Sequence, residues 1–233
     1  MTEIFSIHIN DDERVTGLIY FAQARKRKRV TLVLGHGAGA DQTSDFMVSF
    51  ARGAASRGID AVTFNFLYTE RGRRAPDRND KLESCYRAAI DSAVSHKKLK
   101  GNRLLIGGKS MGGRIASQVA SAGVESSGLI FLGYPLHPPG KPETRRDAHL
   151  SLIRSPMLFV QGERDAFGAS DEISRVIERL KLDATLLRVE GGDHSFAVLK
   201  SSPLSQEEVF RRAQDEIARW AGALIRNKKG SEK

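Results

Sequence analysis

A serine stands between two glycines at the point where a predicted strand passes into a predicted helix. The segment reads Gly108-Lys109-Ser110-Met111-Gly112, with an apolar run before it and a stretch of small residues after it. In this setting the G-x-S-x-G pattern is typical of a tight turn that lifts a serine hydroxyl out of a sheet. The Gly-x4-Gly-Lys-Ser/Thr pattern of a phosphate-binding loop is absent. We therefore predict that Ser110 is a nucleophile.

A serine hydroxyl is a weak nucleophile until a base removes its proton, and an acidic group must orient that base. Asp165 follows a predicted strand at 157–161, and His194 follows a predicted strand at 184–189. Both therefore come after the carboxyl ends of strands, the edge of the sheet from which Ser110 is expected to project. We predict that the three side chains meet there as a catalytic triad.

Other residues compete for two of these roles. Asp193 is a rival acid, but it adjoins His194, and adjacent side chains rarely face each other well; Glu163 lies two positions from the expected loop site. The other histidines in the predicted edge strand, helix end and proline-rich loop fit the role of base less well: His8, His96, His137 and His149.

Acyl transfer also needs N–H donors that face the oxyanion of the transition state. The turn supplies one such donor, the backbone N–H of Met111. The second is expected from the glycine-rich loop after the strand at 30–34, where we predict the N–H of Ala38 first and that of Gly39 next. His36 is expected to brace this loop.

The surrounding sequence alternates strands with helices. A continuous apolar run at 30–34 predicts a buried strand, and further buried strands are predicted at 59–66, 103–107, 128–132, 157–161 and 184–189. Segments at 4–9 and 15–22 alternate like an antiparallel edge pair. Helices are predicted between most of the buried strands, with a long amphipathic helix at 206–225. This pattern predicts a doubly wound, mostly parallel sheet in a single domain, residues 1–233.

A polar loop rich in arginine follows the strand at 59–66. Arg71 and Arg73 lie in it, and an arginine at this edge is suited to clamp a carboxylate or phosphate of a substrate. The alternative is a solvated loop paired with Glu70 and Asp77. We predict substrate-binding roles for both arginines, with this alternative left open.

The segment at 135–155 has only about twenty residues and contains three prolines, too few residues for a helical lid. We therefore expect an open site without a large lid. The four residues that leave the preceding strand are predicted to wall the acyl pocket: Tyr134, Pro135, Leu136 and His137.

Charge and cysteine content limit the kinds of partner and the cellular compartment that the sequence predicts. The net charge is +9, and the densest run of basic residues, at 25–29, is expected to be a solvated turn, so no nucleic-acid partner is predicted. No apolar run of eighteen residues exists, so no membrane span is expected. The single cysteine, Cys85, cannot form an internal disulfide, and the first residues lack the pattern of a secretory signal. These features predict a cytoplasmic protein.

Several longer segments resemble the KANL3/Tex30-like group of small α/β-hydrolases, often labelled dienelactone-hydrolase-like. The resemblance runs from about residue 30 to 200 and is carried by the segments at 35–39, 65–74, 107–114, 132–140, 161–168 and 192–196. It implies an α/β-hydrolase fold with Ser110, Asp165 and His194 as the triad. Dienelactone hydrolases themselves have cysteine at the elbow where this chain has Ser110, whereas Cys85 lies in a predicted helix.

These residues favour a serine hydrolase that cleaves short-acyl carboxylic esters through an acyl-enzyme on Ser110. The expected partner is a small-molecule ester, and this chemistry needs no metal or organic cofactor. The same triad serves thioesterases, amidases and peptidases, and a scaffold that keeps the fold without turnover is a further alternative. The residue types leave the acyl group, the leaving group and the oligomeric state open.

Overall fold

The computed structural model describes residues 1–230, which form one eight-stranded sheet with helices on both faces. The strands are β1 Thr2–His8, β2 Arg14–Tyr20, β3 Val30–Gly35, β4 Asp60–Phe64, β5 Arg103–Lys109, β6 Gly128–Leu132, β7 Met157–Gly162 and β8 Ala184–Val189. The helices are α1 Asp45–Ser56, α2 Leu67–Glu70, α3 Asn79–Ser95, α4 Met111–Ser121, α5 Ser170–Leu180 and α6 Gln206–Gly230. Two 3₁₀ turns, Ala24–Lys26 and Ala148–Leu152, lie in the connections.

The strand order across the sheet is β1-β2-β4-β3-β5-β6-β7-β8. β1 and β2 pair antiparallel from Thr2↔Tyr20 to His8↔Arg14, and β2 also pairs antiparallel with β4. All pairs from β4 to β8 are parallel. The predicted doubly wound, mostly parallel sheet is therefore confirmed, together with its antiparallel edge pair.

The apolar residues form two layers, one on each face of the sheet. Helices α3, α4 and α5 cover one face, and α1 and α6 cover the other. Every residue of β3, β4, β6 and β7 is buried, as predicted for strands covered on both faces. The prediction of a buried strand at 184–189 is wrong, because β8 lies at the edge of the sheet and only its Val189 is buried. Helix α5, whose Ile173 and Val176 are buried, was not among the predicted elements.

The basic run at 25–29 connects β2 to β3. Arg27 is not part of a merely solvated turn, because its Nε lies 2.7 Å from Oδ2 of Asp60, a carboxylate with no exposed side-chain surface. Asp60 also accepts the backbone N–H of Ala22 at 2.9 Å. One of the five cations is thus a structural tie between the connection and β4.

The carboxyl edge of the parallel strands carries no helical cover between β6 and β7. That segment contains only the 3₁₀ turn Ala148–Leu152, as expected from its length. The loops after β3, β5, β7 and β8 meet at this edge.

Within residues 1–230, none of the helices combines the length and apolar character that crossing a bilayer requires.

Candidate active site

The turn between β5 and α4 holds Ser110 in a backbone conformation that non-glycine residues rarely adopt. Its φ is 49° and its ψ is −114°, and such strain costs about 1–3 kcal/mol. The neighbouring glycines let the chain pack tightly enough to maintain it: a Cβ on Gly108 would lie 2.3 Å from the carbonyl oxygen of Gly35, and one on Gly112 would lie 2.1 Å from it. The sharp turn places the Ser110 hydroxyl at the carboxyl edge of the sheet.

The Ser110 hydroxyl contacts a histidine that is 84 positions away in the chain. Ser110 Oγ lies 2.8 Å from Nε2 of His194, and Nδ1 of His194 lies 2.9 and 2.8 Å from the two carboxylate oxygens of Asp165. The carboxylate favours the tautomer with its proton on Nδ1, which leaves Nε2 to accept the serine proton. The structure thus brings together the three side chains that the sequence analysis assigned to a triad.

Asp165 is held in place by other hydrogen bonds. Its side chain has no exposed surface. The Gln161 amide nitrogen donates to Oδ2 at 2.8 Å, and the Phe167 backbone N–H donates to Oδ1 at 2.8 Å. The ring of Phe167 also lies against the His194 ring, with centroids 4.2 Å apart. These contacts fix the positions of both the carboxylate and the imidazole.

The two rival acids are engaged elsewhere. Asp193 accepts the backbone N–H groups of Ser195 and Ala197 at 2.7 and 2.9 Å, so it shapes the loop that carries His194. Glu163 accepts the N–H of Gly191 at 3.0 Å. Neither carboxylate hydrogen-bonds to the imidazole, so the geometry favours Asp165 as the acid.

A buried lysine, not predicted from the sequence, lies beside the nucleophile. Lys109 Nζ donates to the backbone carbonyl of His194 at 2.5 Å and lies near the rings of Phe46 and Phe196. Burial lowers the pKa of Lys109 to about 8, although the negative charges of Asp165 and Asp193 oppose that change. The sequence signal for it was a lysine at the end of a predicted buried strand, directly before Ser110.

The predicted oxyanion donors lie next to the nucleophile. Met111 begins α4, and Ala38 lines the same cavity as Ser110. Within residues 1–230, neither backbone N–H donates to another protein group, so both are free to bind an oxyanion. Gly39 has a φ of 74° and does not line the cavity.

The loop after β3 is anchored from below by His36. This side chain is buried, its Nε2 accepts the Phe66 N–H at 3.1 Å, and burial lowers its pKa. A neutral imidazole is required for that acceptance, so the lowered pKa and the hydrogen bond agree. The bracing position predicted for His36 matches these contacts.

A cavity of about 700 Å³ opens beside Ser110 and His194. This volume lies within the range of small-molecule sites. Its walls are partly apolar, with Phe46, Leu82 and Pro135 among them. Among residues 1–230, no three His, Cys, Asp or Glu side chains are grouped as metal ligands would be.

The two arginines predicted to bind substrate lie outside this cavity. Arg71 pairs with Glu13 on the β1–β2 turn, with Nη2 and Oε1 2.8 Å apart. Arg73 pairs with Asp77 at 2.5 Å. The arginines that line the cavity are instead Arg114 and Arg146. Pairing with Glu13 and Asp77 holds the two predicted side chains outside the cavity, which corrects their placement.

Tyr134 and His137 do not line the cavity either. Tyr134 is buried beneath the site, where its hydroxyl donates to the carbonyl of Arg146 at 2.7 Å. His137 is directed toward α5, with Nε2 3.2 Å from Glu172. Of this segment, Pro135 contributes to the cavity wall. Both side chains form hydrogen bonds away from the cavity, and these bonds stabilise the segment between β6 and β7.

Cys85 is remote from this chemistry. It is buried on α3, and burial raises the pKa of its thiol to about 12. A thiol that stays protonated is a poor nucleophile. Its place in the apolar layer beneath α3 indicates a packing role.

Known proteins share this fold. The chain matches a family model described as "Alpha/beta hydrolase domain" over residues 28–222. A serine hydrolase homologue from Coxiella burnetii is 18% identical, with 97% of this chain and 96% of that chain covered and a TM-score of 0.70. A serine hydrolase without a lid from Xanthomonas campestris is 19% identical, with 94% of each chain covered and a TM-score of 0.72. Est1E from Butyrivibrio proteoclasticus, solved with ferulic acid, is 12% identical, with 95% and 99% covered and a TM-score of 0.76. Since the family model matches most of its length, this chain belongs to the α/β-hydrolase family.

Proposed function

We propose that this protein is a serine hydrolase that cleaves short-acyl carboxylic esters of small molecules through an acyl-enzyme on Ser110. The observation that carries the proposal is the unbroken hydrogen-bond chain from Ser110 through His194 to buried Asp165, beside an accessible cavity. Within the family, the resemblance of its motifs supports a place in the KANL3/Tex30-like group.

The first half of the reaction forms the acyl-enzyme. The Ser110 oxygen attacks the carbonyl carbon of the ester while its proton passes to Nε2 of His194. The carbonyl oxygen becomes an oxyanion that the N–H groups of Met111 and Ala38 are placed to stabilise. When the tetrahedral intermediate collapses, the bond to the alkoxy oxygen breaks, and the departing alcohol takes the proton from His194.

The second half removes the acyl group. Water attacks the acyl-enzyme carbonyl while giving a proton to His194 Nε2, and that proton returns to the Ser110 oxygen as the acid product leaves. Asp165 stays ionised and stabilises the imidazolium that forms in each half. The net reaction consumes one water for each ester and regenerates the free enzyme.

A preference for short acyl groups follows from the absence of a helical lid between β6 and β7. Each additional buried CH₂ contributes about 0.8 kcal/mol, and an acyl chain that extends beyond an uncovered cavity stays in water. We therefore propose acetate to butyrate esters as the preferred range. The single buried cysteine supports the cytoplasm as the compartment.

The test is labelling with a fluorophosphonate, followed by turnover of p-nitrophenyl esters from C2 to C16. We expect stoichiometric labelling of the wild type and none of Ser110→Ala, which should keep its circular dichroism spectrum. Full labelling of Ser110→Ala would refute the nucleophile, and no labelling of the wild type would favour a scaffold without turnover. A maximum of kcat/KM at C10 or longer would refute the short-acyl preference, and faster turnover of matched thioesters or amides would assign the triad to those substrates.

A further inference from the structure

Two arginines line the cavity beside the nucleophile. Arg114 lies one helical turn after Ser110 on α4, where its backbone N–H donates to the Ser110 carbonyl at 3.0 Å. Arg146 comes from the segment between β6 and β7 and lines the same cavity of about 700 Å³. Both side chains are partly buried. They approach the site from two different parts of the chain.

Within the part of the chain that the structure describes, neither guanidinium forms an ion pair. Arg114 donates only to the neutral amide oxygens of Gln118 and Asn79, at 3.3 and 3.2 Å. A guanidinium has five N–H donors, so most of those on Arg114 remain available. An arginine with only neutral amide partners is suited to receive a ligand's negative charge.

Two of the acidic side chains near the arginines form ion pairs with other cations. Asp77, on the cavity wall, pairs with Arg73 at 2.5 Å. Asp147, next to Arg146 in sequence, pairs with Arg145 and Arg179 at 2.8 and 2.6 Å. Asp45 also lines the cavity, at the start of α1, and pairs with neither Arg114 nor Arg146. Among the described residues, the two guanidinium groups therefore lack an ion-pair partner, and the negative charge of Glu83 acts on Arg114 without forming an ion pair.

The two charges also act on each other. Burial, together with the positive charge of Arg146, lowers the pKa of Arg114, although the negative charge of Glu83 opposes that change. Placing like charges together in a partly desolvated site is unfavourable in the free protein. A bound anion would remove this repulsion, and a guanidinium fork matches the two oxygens of a carboxylate.

We propose that Arg114 and Arg146 bind a carboxylate carried by the ester substrate, so that the preferred substrates are half-esters of short dicarboxylic acids or acyl esters of hydroxy acids. This inference rests on the proposed esterase function. Residues i and i+4 share one helix face about one turn, or roughly 5.4 Å, apart. The carboxylate is therefore a few bonds from the scissile carbonyl, as in a glutaryl group.

The test compares anionic esters with neutral esters of the same shape, in which an isopropyl group replaces the carboxylate. On the acyl side, monoethyl glutarate is compared with ethyl 5-methylhexanoate. On the alcohol side, 4-acetoxybutanoate is compared with 4-methylpentyl acetate. We expect kcat/KM for the anionic member of at least one pair to be larger by about tenfold or more, and the pair that shows the preference identifies the side that faces the arginines.

The variants Arg114→Gln and Arg146→Gln should each reduce that preference by about 10- to 100-fold, the range for loss of one charge-assisted contact. Turnover of the neutral ester should change far less, so it also reports folding. Arg175→Gln is the matched control: it removes the same charge from an exposed position on α5 that does not line the cavity. It should leave the preference unchanged.

Equal turnover of anionic and neutral esters by the wild type in both pairs would overturn the inference while leaving the esterase function intact. So would a preference that survives in the Arg114→Gln/Arg146→Gln double variant. Failure of the esterase function itself has a different signature, since neither labelling by fluorophosphonate nor turnover of any ester would then be seen. If a variant fails to fold, the wild-type comparison alone decides.

Discussion

Replacing Lys109 by methionine tests the environment of a lysine buried beside the nucleophile. The ordinary pKa of lysine is 10.5, and burial lowers that of Lys109 to about 8. One pKa unit corresponds to about 1.4 kcal/mol, so keeping the ammonium charged in the folded protein costs about 3 kcal/mol. Lys109 is only 9% exposed, so solvent does little to reduce this cost.

The sign of the pH dependence follows from the two states. Below pH 8, Lys109 is charged in both the folded and the unfolded chain, and the folded state bears the full cost. Between about pH 8 and 10.5 the folded chain releases the proton while the unfolded chain keeps it, so the free energy of unfolding rises with pH. Methionine does not titrate. The wild type should therefore gain about 3 kcal/mol relative to Lys109→Met across this window.

The starting point of that comparison can also be worked out. At pH 7 the variant loses the cost of the buried charge, but it leaves the His194 carbonyl without the donor that now lies 2.5 Å away. An unpaired buried carbonyl costs about 1–3 kcal/mol. The two effects oppose each other, so the variant should be close to the wild type in stability at pH 7 and clearly less stable at pH 10.

The assay is urea unfolding of both proteins at pH 7, 8, 9 and 10, with the difference in free energy of unfolding plotted against pH. Lys97→Met, at an exposed position, is the matched control and should give a constant difference. A constant difference for Lys109→Met as well would refute the reasoning, because it would mean that burial does not change the protonation of Lys109.

Two further predictions concern the turn that carries the nucleophile. Ser110→Gly and Ser110→Ala both remove the hydroxyl, but only glycine relieves the strain of a φ of 49°. Glycine also carries an entropic penalty, so the net expectation is that Ser110→Gly is more stable than Ser110→Ala by about 1 kcal/mol. This difference should appear as a Tm higher by about 2–4 °C. An Ala variant of equal or higher Tm would contradict the claim of strain. Gly112→Ala would place a Cβ 2.1 Å from the Gly35 carbonyl oxygen. It should therefore lower the free energy of unfolding by about 3 kcal/mol and abolish fluorophosphonate labelling. The control Gly222→Ala lies in open space on α6 and should be neutral or stabilising. Retained labelling in Gly112→Ala would show that the close approach of β3 and α4 is dispensable.

Features encoded in short stretches of sequence were predictable. A strand buried on both faces, such as β3 or β7, must be apolar at nearly every position, so its sequence identifies it without reference to the rest of the chain. The elbow around Ser110 is equally local, since its glycines are required by backbone contacts at that turn. Asp165 and His194 could be located because each follows a predicted strand.

Features that depend on which side chain a charged residue pairs with were not predictable from short stretches of sequence. Arg71 and Arg73 have the composition expected of a substrate clamp, yet Glu13 and Asp77 bind them outside the cavity. Arg114, for which no substrate-binding role was predicted, lines the cavity instead. A long cation can reach any of several carboxylates, and only the packed chain determines which of them lies within reach.

The sequence by itself determined the sheet, the elbow and the three side chains of the candidate triad, because each depends on burial or backbone geometry within a few residues. The tertiary structure alone decided which cations face the cavity and that Lys109 is tied to the His194 loop. These features arise from contacts between segments far apart in the chain. Such contacts leave no periodic pattern in the sequence, because a single side chain in each segment makes them.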